Sequence, residues 1–191
     1  LVLGLAGWRL GPLAFKLRPG AVLFLVVYAC TKLVSWRSHF ILGFTDALAP
    51  AGAWAAVRGS LFTTADLPAW LLAAMVTLWI GGFDLIYACQ DIEVDRRHRL
   101  HSIPARFGVI FALSLSAFCH LLTVILLAVL GWATGLAWPF WVGVVITAGL
   151  LAWEHSLVKP DDLSRVNLAF FNVNSYISLT LFLAVLVALW I

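Results

Sequence analysis

Apolar stretches with almost no charged residues follow one another along the chain, separated by short polar segments. They run from Pro19 to Ser35, Phe40 to Val57, Leu67 to Phe83, Phe107 to Trp153 and Val166 to Ile191. A bilayer-spanning helix needs about 20 mostly apolar residues. The fourth stretch is too long for one helix, and we expect it to break at Gly131–Gly135 and Pro139. The pattern therefore predicts six transmembrane helices, with residues 1–8 as the end of an earlier helix.

The composition indicates an all-α membrane protein. Of the 191 residues, 63% are hydrophobic and 11% are charged, whereas a soluble domain has about 25% charged residues. A soluble enzyme and a nucleic-acid-binding module are therefore excluded. Every backbone polar group in hydrocarbon must be paired within its own segment, so the apolar stretches are predicted to be helices. We expect a transmembrane helix bundle whose surroundings are the lipid bilayer.

The basic residues predict the orientation of the bundle. Alternating helices would place most of them on one side, namely Lys32, Arg37, Arg96, Arg97, Arg99, Arg106, Lys159 and Arg165. The other side would receive Arg9, Lys16, Arg18 and Arg58. Because cytoplasmic loops carry the excess of Lys and Arg, we expect the first side to be cytoplasmic.

Four polar residues at the predicted inner end of the third span carry the candidate chemistry. Asp84, Tyr87, Asp91 and Asp95 are spaced i, i+3, i+7 and i+11, which would stack them on one face of a single helix over about 16 Å. Unpaired carboxylates in such a row repel one another, and one at membrane depth is also costly to desolvate. A cation is therefore expected among them, although a solvated helix end is the simpler alternative.

A magnesium-diphosphate complex is the ligand that this pattern favours. Mg²⁺ binds through one or two carboxylates together with substrate phosphates, so one or two of these aspartates would be enough to hold it. Arginine and lysine side chains complement the remaining phosphate oxygens. Arg96, Arg106 and Lys32 are predicted to do so at the same end of the bundle.

The stretch from Asp84 to Gly108 resembles the second aspartate-rich motif of the UbiA superfamily of membrane prenyltransferases. Further segments resemble the same family, namely Tyr28–Lys32 with Ser38–His39, Ala49–Trp54 and Trp153–Asn167. Within the superfamily, the chain is most similar to the 4-hydroxybenzoate polyprenyltransferase-like enzymes. The family's first aspartate motif has no counterpart in this sequence. The resemblance therefore implies that residues 1–191 form one transmembrane prenyltransferase domain, the C-terminal two thirds of the family fold, inactive by itself.

The resemblance implies Mg²⁺-dependent transfer of a polyprenyl group from polyprenyl diphosphate to an aromatic acceptor. The acceptor would be 4-hydroxybenzoate in ubiquinone biosynthesis or a dihydroxynaphthoate in menaquinone biosynthesis. By position, Asp91 and Asp95 would hold Mg²⁺ and diphosphate, and Lys32 would help neutralise the leaving group. Asp84 and Tyr87 would line the deeper site near the reacting carbon.

A transporter or membrane scaffold whose acidic face binds an ion is the alternative function. Transporters commonly show paired repeats with Gly- or Pro-broken helices in matching halves, and no such repeat stands out in the sequence. The alternative therefore rests only on the acidic face, which either class of protein can present.

Overall fold

The computed structural model describes residues 10–191, so the predicted helix end at residues 1–8 lies outside the described residues. The α-helices are α1 (Pro12–Val34), α2 (Ser38–Arg58), α3 (Leu67–Ala88), α4 (Ile92–Arg97), α5 (Ile103–Phe107), α6 (Val109–Thr134), α7 (Trp138–Leu157) and α8 (Asn174–Ala188). Two 3₁₀ turns (Thr64–Asp66 and Cys89–Asp91) and a π-turn (Leu168–Val173) complete the helical structure. Within residues 10–191, six helical runs are long and apolar enough to cross a membrane. The predicted all-α membrane fold with six spans is confirmed.

The long apolar stretch breaks where the sequence predicted. Gly135 ends α6 with a φ of 64°, a left-handed conformation that costs glycine little because it has no Cβ. Pro139 lies in the first turn of α7, where its missing N–H leaves no helical bond unmade. The two helices therefore form a tight hairpin, which places the ends of α5 and α7 at the same end of the bundle.

The third span, α3, lies at the centre of the bundle and approaches its neighbours through glycines. Gly43 of α2 lies against the backbone carbonyl of Thr77, and Gly82 of α3 lies against the imidazole of His120 in α6. A Cβ at either glycine would overlap these atoms. Small residues of this kind allow membrane helices to pack closely. In contrast, α1 packs mainly beside α2 and leaves most of its apolar side chains exposed.

The helical run continues from Asp84 through Asp95 as predicted, but it is not one regular α-helix that stacks the four residues on a single face. The α-helix ends at Ala88, Asp91 lies in a 3₁₀ turn, and Asp95 belongs to the short helix α4. A 3₁₀ turn has about 3.0 residues per turn, compared with 3.6 in an α-helix. The residues after the turn are therefore rotated away from the positions that a continuous α-helix would give them.

Candidate active site at the polar end of the bundle

A lysine and a buried aspartate meet at the polar end of the bundle. Lys32 lies in the last turn of α1, and its Nζ is 3.8 Å from Oδ1 of Asp95. The Asp95 side chain is 2% exposed, and its Oδ2 has no hydrogen-bond partner in the described structure. The backbone N–H of His101 donates to the carbonyl oxygen of Lys32 at 2.7 Å. The loop after α4 therefore holds the end of α1 beside Asp95.

Asp84 is oriented by a histidine that precedes it by 45 residues. Its Oδ2 lies 2.6 Å from Nδ1 of His39, which is fully buried at the start of α2. The other ring nitrogen, Nε2, accepts a hydrogen bond from the backbone N–H of Ile103 at 3.3 Å. These partners assign the proton to Nδ1, so a neutral His39 donates to the Asp84 carboxylate.

Asp91 joins the same group of charges. It lies in the 3₁₀ turn, is partly buried, and is within electrostatic range of Lys32, Asp84 and Asp95. Three carboxylates therefore share the positive charge of one lysine. Such a group has an excess of negative charge, which favours the binding of a further cation.

The predicted metal ligands fit Mg²⁺ only as a partial site. Within residues 10–191, no group of three or more His, Cys, Asp and Glu side chains is arranged to hold a metal ion. Mg²⁺ does not require such a cage, because it keeps several waters and takes one or two carboxylates plus phosphate oxygens. Asp95, with a buried oxygen that lacks a partner, and the adjacent Asp91 are suited to that role.

Two polar residues that the sequence left without a role extend the site towards the middle of the membrane. Asp46 of α2 and Tyr28 of α1 both lie within electrostatic range of Asp84. The Asp46 side chain is exposed on the surface of the bundle. A carboxylate facing lipid at this depth is costly, which favours a polar cavity or further protein against this face. The signal in the sequence was an acid near the centre of an apolar stretch.

Tyr87 contacts a different part of the bundle from the aspartates. Its ring centroid lies 4.4 Å from that of Phe170 and 6.3 Å from that of Phe171. Both phenylalanines belong to the π-turn before α8. The expected face shared by Tyr87 and Asp84 is therefore divided, because Asp84 is bonded to α2 and Tyr87 packs against the π-turn.

The two arginines predicted to contact diphosphate line a small cavity in the loop region. The Arg96 guanidinium donates twice to the carbonyl oxygen of Ala105, at 3.2 Å in both cases. The Arg106 guanidinium lies 5.9 Å from the ring centroid of Trp36. The cavity measures about 260 Å³ and also includes His101 in its lining. Neither arginine forms an ion pair with an aspartate in the part of the chain that the structure describes.

A larger and almost entirely apolar cavity lies along the outer halves of α1 and α2. It measures about 700 Å³ between α1, α2 and the start of α3. Phe24 and Phe44, whose ring centroids are 4.9 Å apart, lie at its inner end. The inner end of this cavity therefore lies within a few residues of Tyr28 on α1 and of Asp46 on α2. From there the cavity extends towards the outer surface of the bundle.

Comparison with known proteins identifies the class to which this bundle belongs. The profile of the UbiA prenyltransferase family matches residues 1–186. The solved structure of a UbiA homolog from Aeropyrum pernix K1 superposes with a TM-score of 0.80 at 29% identity, covering 92% of this chain and 64% of that one. A structure of digeranylgeranylglyceryl phosphate synthase gives a TM-score of 0.75 at 18% identity, which shows the shared fold. The chain belongs to the UbiA prenyltransferase family.

The curated relatives to which the chain is similar include enzymes with one shared name. The chain is similar to the 4-hydroxybenzoate octaprenyltransferase of Tolumonas auensis, with 27% identity over 181 residues that cover 95% of this chain and 61% of the relative. The enzyme of the same name from Saccharophagus degradans is 28% identical over 178 residues, covering 92% of this chain and 57% of the relative. The chain thus spans about three fifths of the length of these relatives.

Proposed function

We propose that this protein transfers a polyprenyl group from a polyprenyl diphosphate to an aromatic acceptor, with 4-hydroxybenzoate as the first acceptor to test. The names of the relatives from Tolumonas auensis and Saccharophagus degradans support this choice. A dihydroxynaphthoate is the second acceptor, because an electron-rich ring carbon is the chemical requirement in both. The products would enter ubiquinone or menaquinone biosynthesis, respectively.

The observation that carries the proposal is the incomplete pairing of Asp95. A buried carboxylate oxygen without a partner is costly to maintain, and the neighbouring Lys32 reaches only the other oxygen. A divalent cation bound with a diphosphate would satisfy this oxygen. Asp91, which is within electrostatic range of Asp95, would contribute to the same ion. A purely solvated helix end would leave its acids exposed, whereas Asp95 is 2% exposed.

Mg²⁺ held by Asp91 and Asp95 would stabilise negative charge on the leaving diphosphate without proton transfer. Lys32 would add a positive charge beside the same oxygens. His39 keeps the Asp84 carboxylate oriented, and Asp84 remains 20% exposed. That exposure leaves it accessible to accept the ring proton or a hydroxyl hydrogen of the acceptor. Tyr87 and its aromatic neighbours would offer ring faces to the developing allylic cation.

The apolar cavity supports a lipid-like substrate. Its walls consist mainly of Ala, Gly, Leu and Phe side chains, and its volume of about 700 Å³ accommodates several isoprene units. Because Asp84 lies near the inner end of α3, whose outer end lines the cavity, a bound polyprenyl diphosphate would have its phosphates at the polar end. The apolar surroundings would exclude water from the reactive carbon.

The proposed orientation places the aspartates on the cytoplasmic side of a bacterial inner membrane. The segments at this end are rich in Arg and Lys, which is typical of cytoplasmic loops. The polar end is also where a water-soluble aromatic acceptor and diphosphate would exchange with the cytosol. Blocking of introduced cysteines by an impermeant thiol reagent, added from either side, tests this orientation.

Prenyl transfer by Asp95 variants tests the function. The protein is expressed from its natural gene, and membranes are incubated with polyprenyl diphosphate, Mg²⁺ and each acceptor, with products identified by mass. Asp95→Asn is expected to lower transfer by about a hundredfold, since it removes a charge that balances the metal. Glu93→Gln is the matched control, because Glu93 is an exposed acid on the same short helix. Full activity of Asp95→Asn, or no product with either acceptor, would contradict the proposal.

A further inference from the structure

A second group of buried polar side chains lies between α3, α6, α7 and α8 and includes none of the aspartates. It consists of Trp79, His120, Glu154, His155 and Asn174. His120 is 2% exposed, Glu154 is 0% exposed and Asn174 is 8% exposed. Buried polar groups in a membrane bundle are costly unless they are paired, so this group requires an explanation that apolar packing does not provide.

Asn174 is the centre of the group, and its hydrogen bonds reach three elements. Its Oδ1 accepts from the indole Nε1 of Trp79 at 2.9 Å. Its Nδ2 donates to Oε1 of Glu154 at 3.2 Å and to the carbonyl oxygen of Phe170 at 2.9 Å. One amide side chain therefore ties α3 and α7 to the backbone immediately before α8.

The backbone that Asn174 holds is the π-turn from Leu168 to Val173. A π-turn uses hydrogen bonds that span five residues instead of four; it is rare and is frequently found at functional sites. Such a turn also rearranges the carbonyls of the surrounding α-helix. The bond from Asn174 to the Phe170 carbonyl provides an additional donor at this point, which stabilises the turn.

The π-turn places the aromatic residues that surround Tyr87. The Phe170 ring lies 4.4 Å from the Tyr87 ring and 5.1 Å from the Phe83 ring, measured between centroids. We call Phe83, Tyr87, Phe170 and Phe171 the aromatic wall. The position of Phe170 in this wall depends on the geometry of the π-turn, because a regular α-helix would rotate its side chain.

We propose that Asn174 is a positioning residue: it holds the π-turn so that Phe170 supports Tyr87 in contact with the prenyl group of the substrate. This inference rests on the proposed function. Asn174 itself is directed towards Trp79 and Glu154, so it acts through Phe170 and Tyr87. Orientation matters because a ring stabilises a cation through its face and much less through its edge.

The hydrogen bonds of His120 and His155 indicate that glutamine, which is neutral, can replace Glu154. His120 Nε2 lies 3.3 Å from the carbonyl oxygen of Trp79, so this nitrogen carries a hydrogen. His120 Nδ1 then accepts from Nε2 of His155 at 2.9 Å. Oε2 of Glu154 lies 3.6 Å from the lone pair of His120 Nδ1 and has no hydrogen-bond partner in the described structure. A neutral side chain suits this contact better than a carboxylate.

Substitutions at Asn174 and Glu154 test the inference by their effects on two constants, KM for the polyprenyl diphosphate and KM for the aromatic acceptor. Asn174→Ala is expected to raise KM for the polyprenyl diphosphate by about tenfold and to leave KM for the acceptor unchanged. A loss of folded protein would lower the maximal rate without changing either constant. Glu154→Gln retains an oxygen for Asn174 Nδ2 and should keep the wild-type constants, whereas Glu154→Leu should behave like Asn174→Ala.

Hydrogen exchange of the π-turn supplies a measurement that needs no substrate. Asn174→Ala is expected to speed amide exchange across residues 166–176 by about tenfold. Ser175→Ala is the matched control, because Ser175 Oγ donates to the Phe171 carbonyl in the same turn but is exposed. That control should keep both the slow exchange and the wild-type KM.

The outcomes distinguish failure of the inference from failure of the proposed function. Unchanged exchange or an unchanged KM in Asn174→Ala, with normal transfer by the unsubstituted protein, would overturn the positioning role alone. Absence of transfer by the unsubstituted protein would overturn the proposed function. If Asn174→Ala does not fold, Trp79→Phe serves instead, since it removes the N–H that Asn174 Oδ1 accepts and keeps an aromatic ring beside Phe83. The same shift in KM for the polyprenyl diphosphate is expected, and its absence would overturn the inference.

Discussion

His39 and Asp84, which are separated by 45 positions in the sequence, are joined by a contact of 2.6 Å between Nδ1 and Oδ2. The backbone N–H of Ile103 donates a hydrogen bond to Nε2, the other ring nitrogen of His39. The start of the loop helix α5 therefore determines which nitrogen carries the hydrogen. His39, which lies outside the aspartate-rich motif, therefore controls the orientation of Asp84, the acid of the motif that lies deepest in the membrane.

Removal of the His39 donor should slow prenyl transfer. His39→Ala is expected to lower kcat by about tenfold to a hundredfold, because a hydrogen bond to a charged group contributes about 1.5–3 kcal/mol. His39→Asn retains a donor near the Nδ1 position and should recover part of the rate. Steady-state kinetics on both variants provide the measurement, and equal rates for the two would exclude donation from this position as the role of His39.

Lys32 should be required for the departure of diphosphate. Lys32→Met removes the charge beside Asp95 and is expected to lower kcat/KM by about a hundredfold. Lys159→Met is the control, because Lys159 is an exposed lysine in the loop between α7 and the last span. Transfer assays at saturating Mg²⁺ measure both variants, and similar losses in the two would indicate a general effect of charge at the membrane surface.

The activity should depend on a divalent cation that Asp91 helps to bind. Chelation is expected to abolish transfer, and added Mg²⁺ to restore it. Asp91→Asn should raise the Mg²⁺ concentration for half-maximal activity by about tenfold, which corresponds to 1.4 kcal/mol of binding free energy. Transfer that persists after exhaustive chelation, or an unchanged Mg²⁺ requirement in Asp91→Asn, would argue against this assignment.

The close contact between α3 and α6 should make Gly82 intolerant of a side chain. A Cβ at this position would overlap the buried His120 ring, so Gly82→Ala is expected to destabilise the protein by about 1–3 kcal/mol. Gly149→Ala is the matched control, because Gly149 is also helical and nothing lies within 4 Å of its added Cβ. Thermal unfolding in detergent should show a lower Tm for the first variant only.

The spans could be predicted from sequence because a bilayer imposes length and apolarity on each helix independently. The break between α6 and α7 was equally accessible, since Gly135 and Pro139 have local conformational preferences that need no tertiary contact. The gathering of Lys32 with Asp91 and Asp95 at one end followed from alternation of the spans. The roles of these residues in catalysis stay predictions.

Other parts of the site depend on tertiary structure and left no readable pattern. The 3₁₀ turn at Cys89–Asp91 contains no glycine or proline that would indicate it in the sequence. The pattern therefore predicted one regular helix through the motif. The partnership of His39 with Asp84 needs α2 and α3 to be packed side by side. Likewise, the bond between Trp79 and Asn174 joins residues from spans that are distant along the chain.

The glycine contacts of α3 bear on how the lipid substrate of the proposed function would reach the aspartates. Gly43 of α2 lies against the backbone of α3 on one side, and Gly82 of α3 lies against the His120 ring on the other, so α3 is closely packed on both sides. The first span is held differently: its side chains are largely exposed, and the His101 N–H to Lys32 bond tethers only its inner end. If the proposed function holds, we expect the lipid tail to enter by an outward tilt of α1 about its inner end, with Lys32 kept beside Asp95.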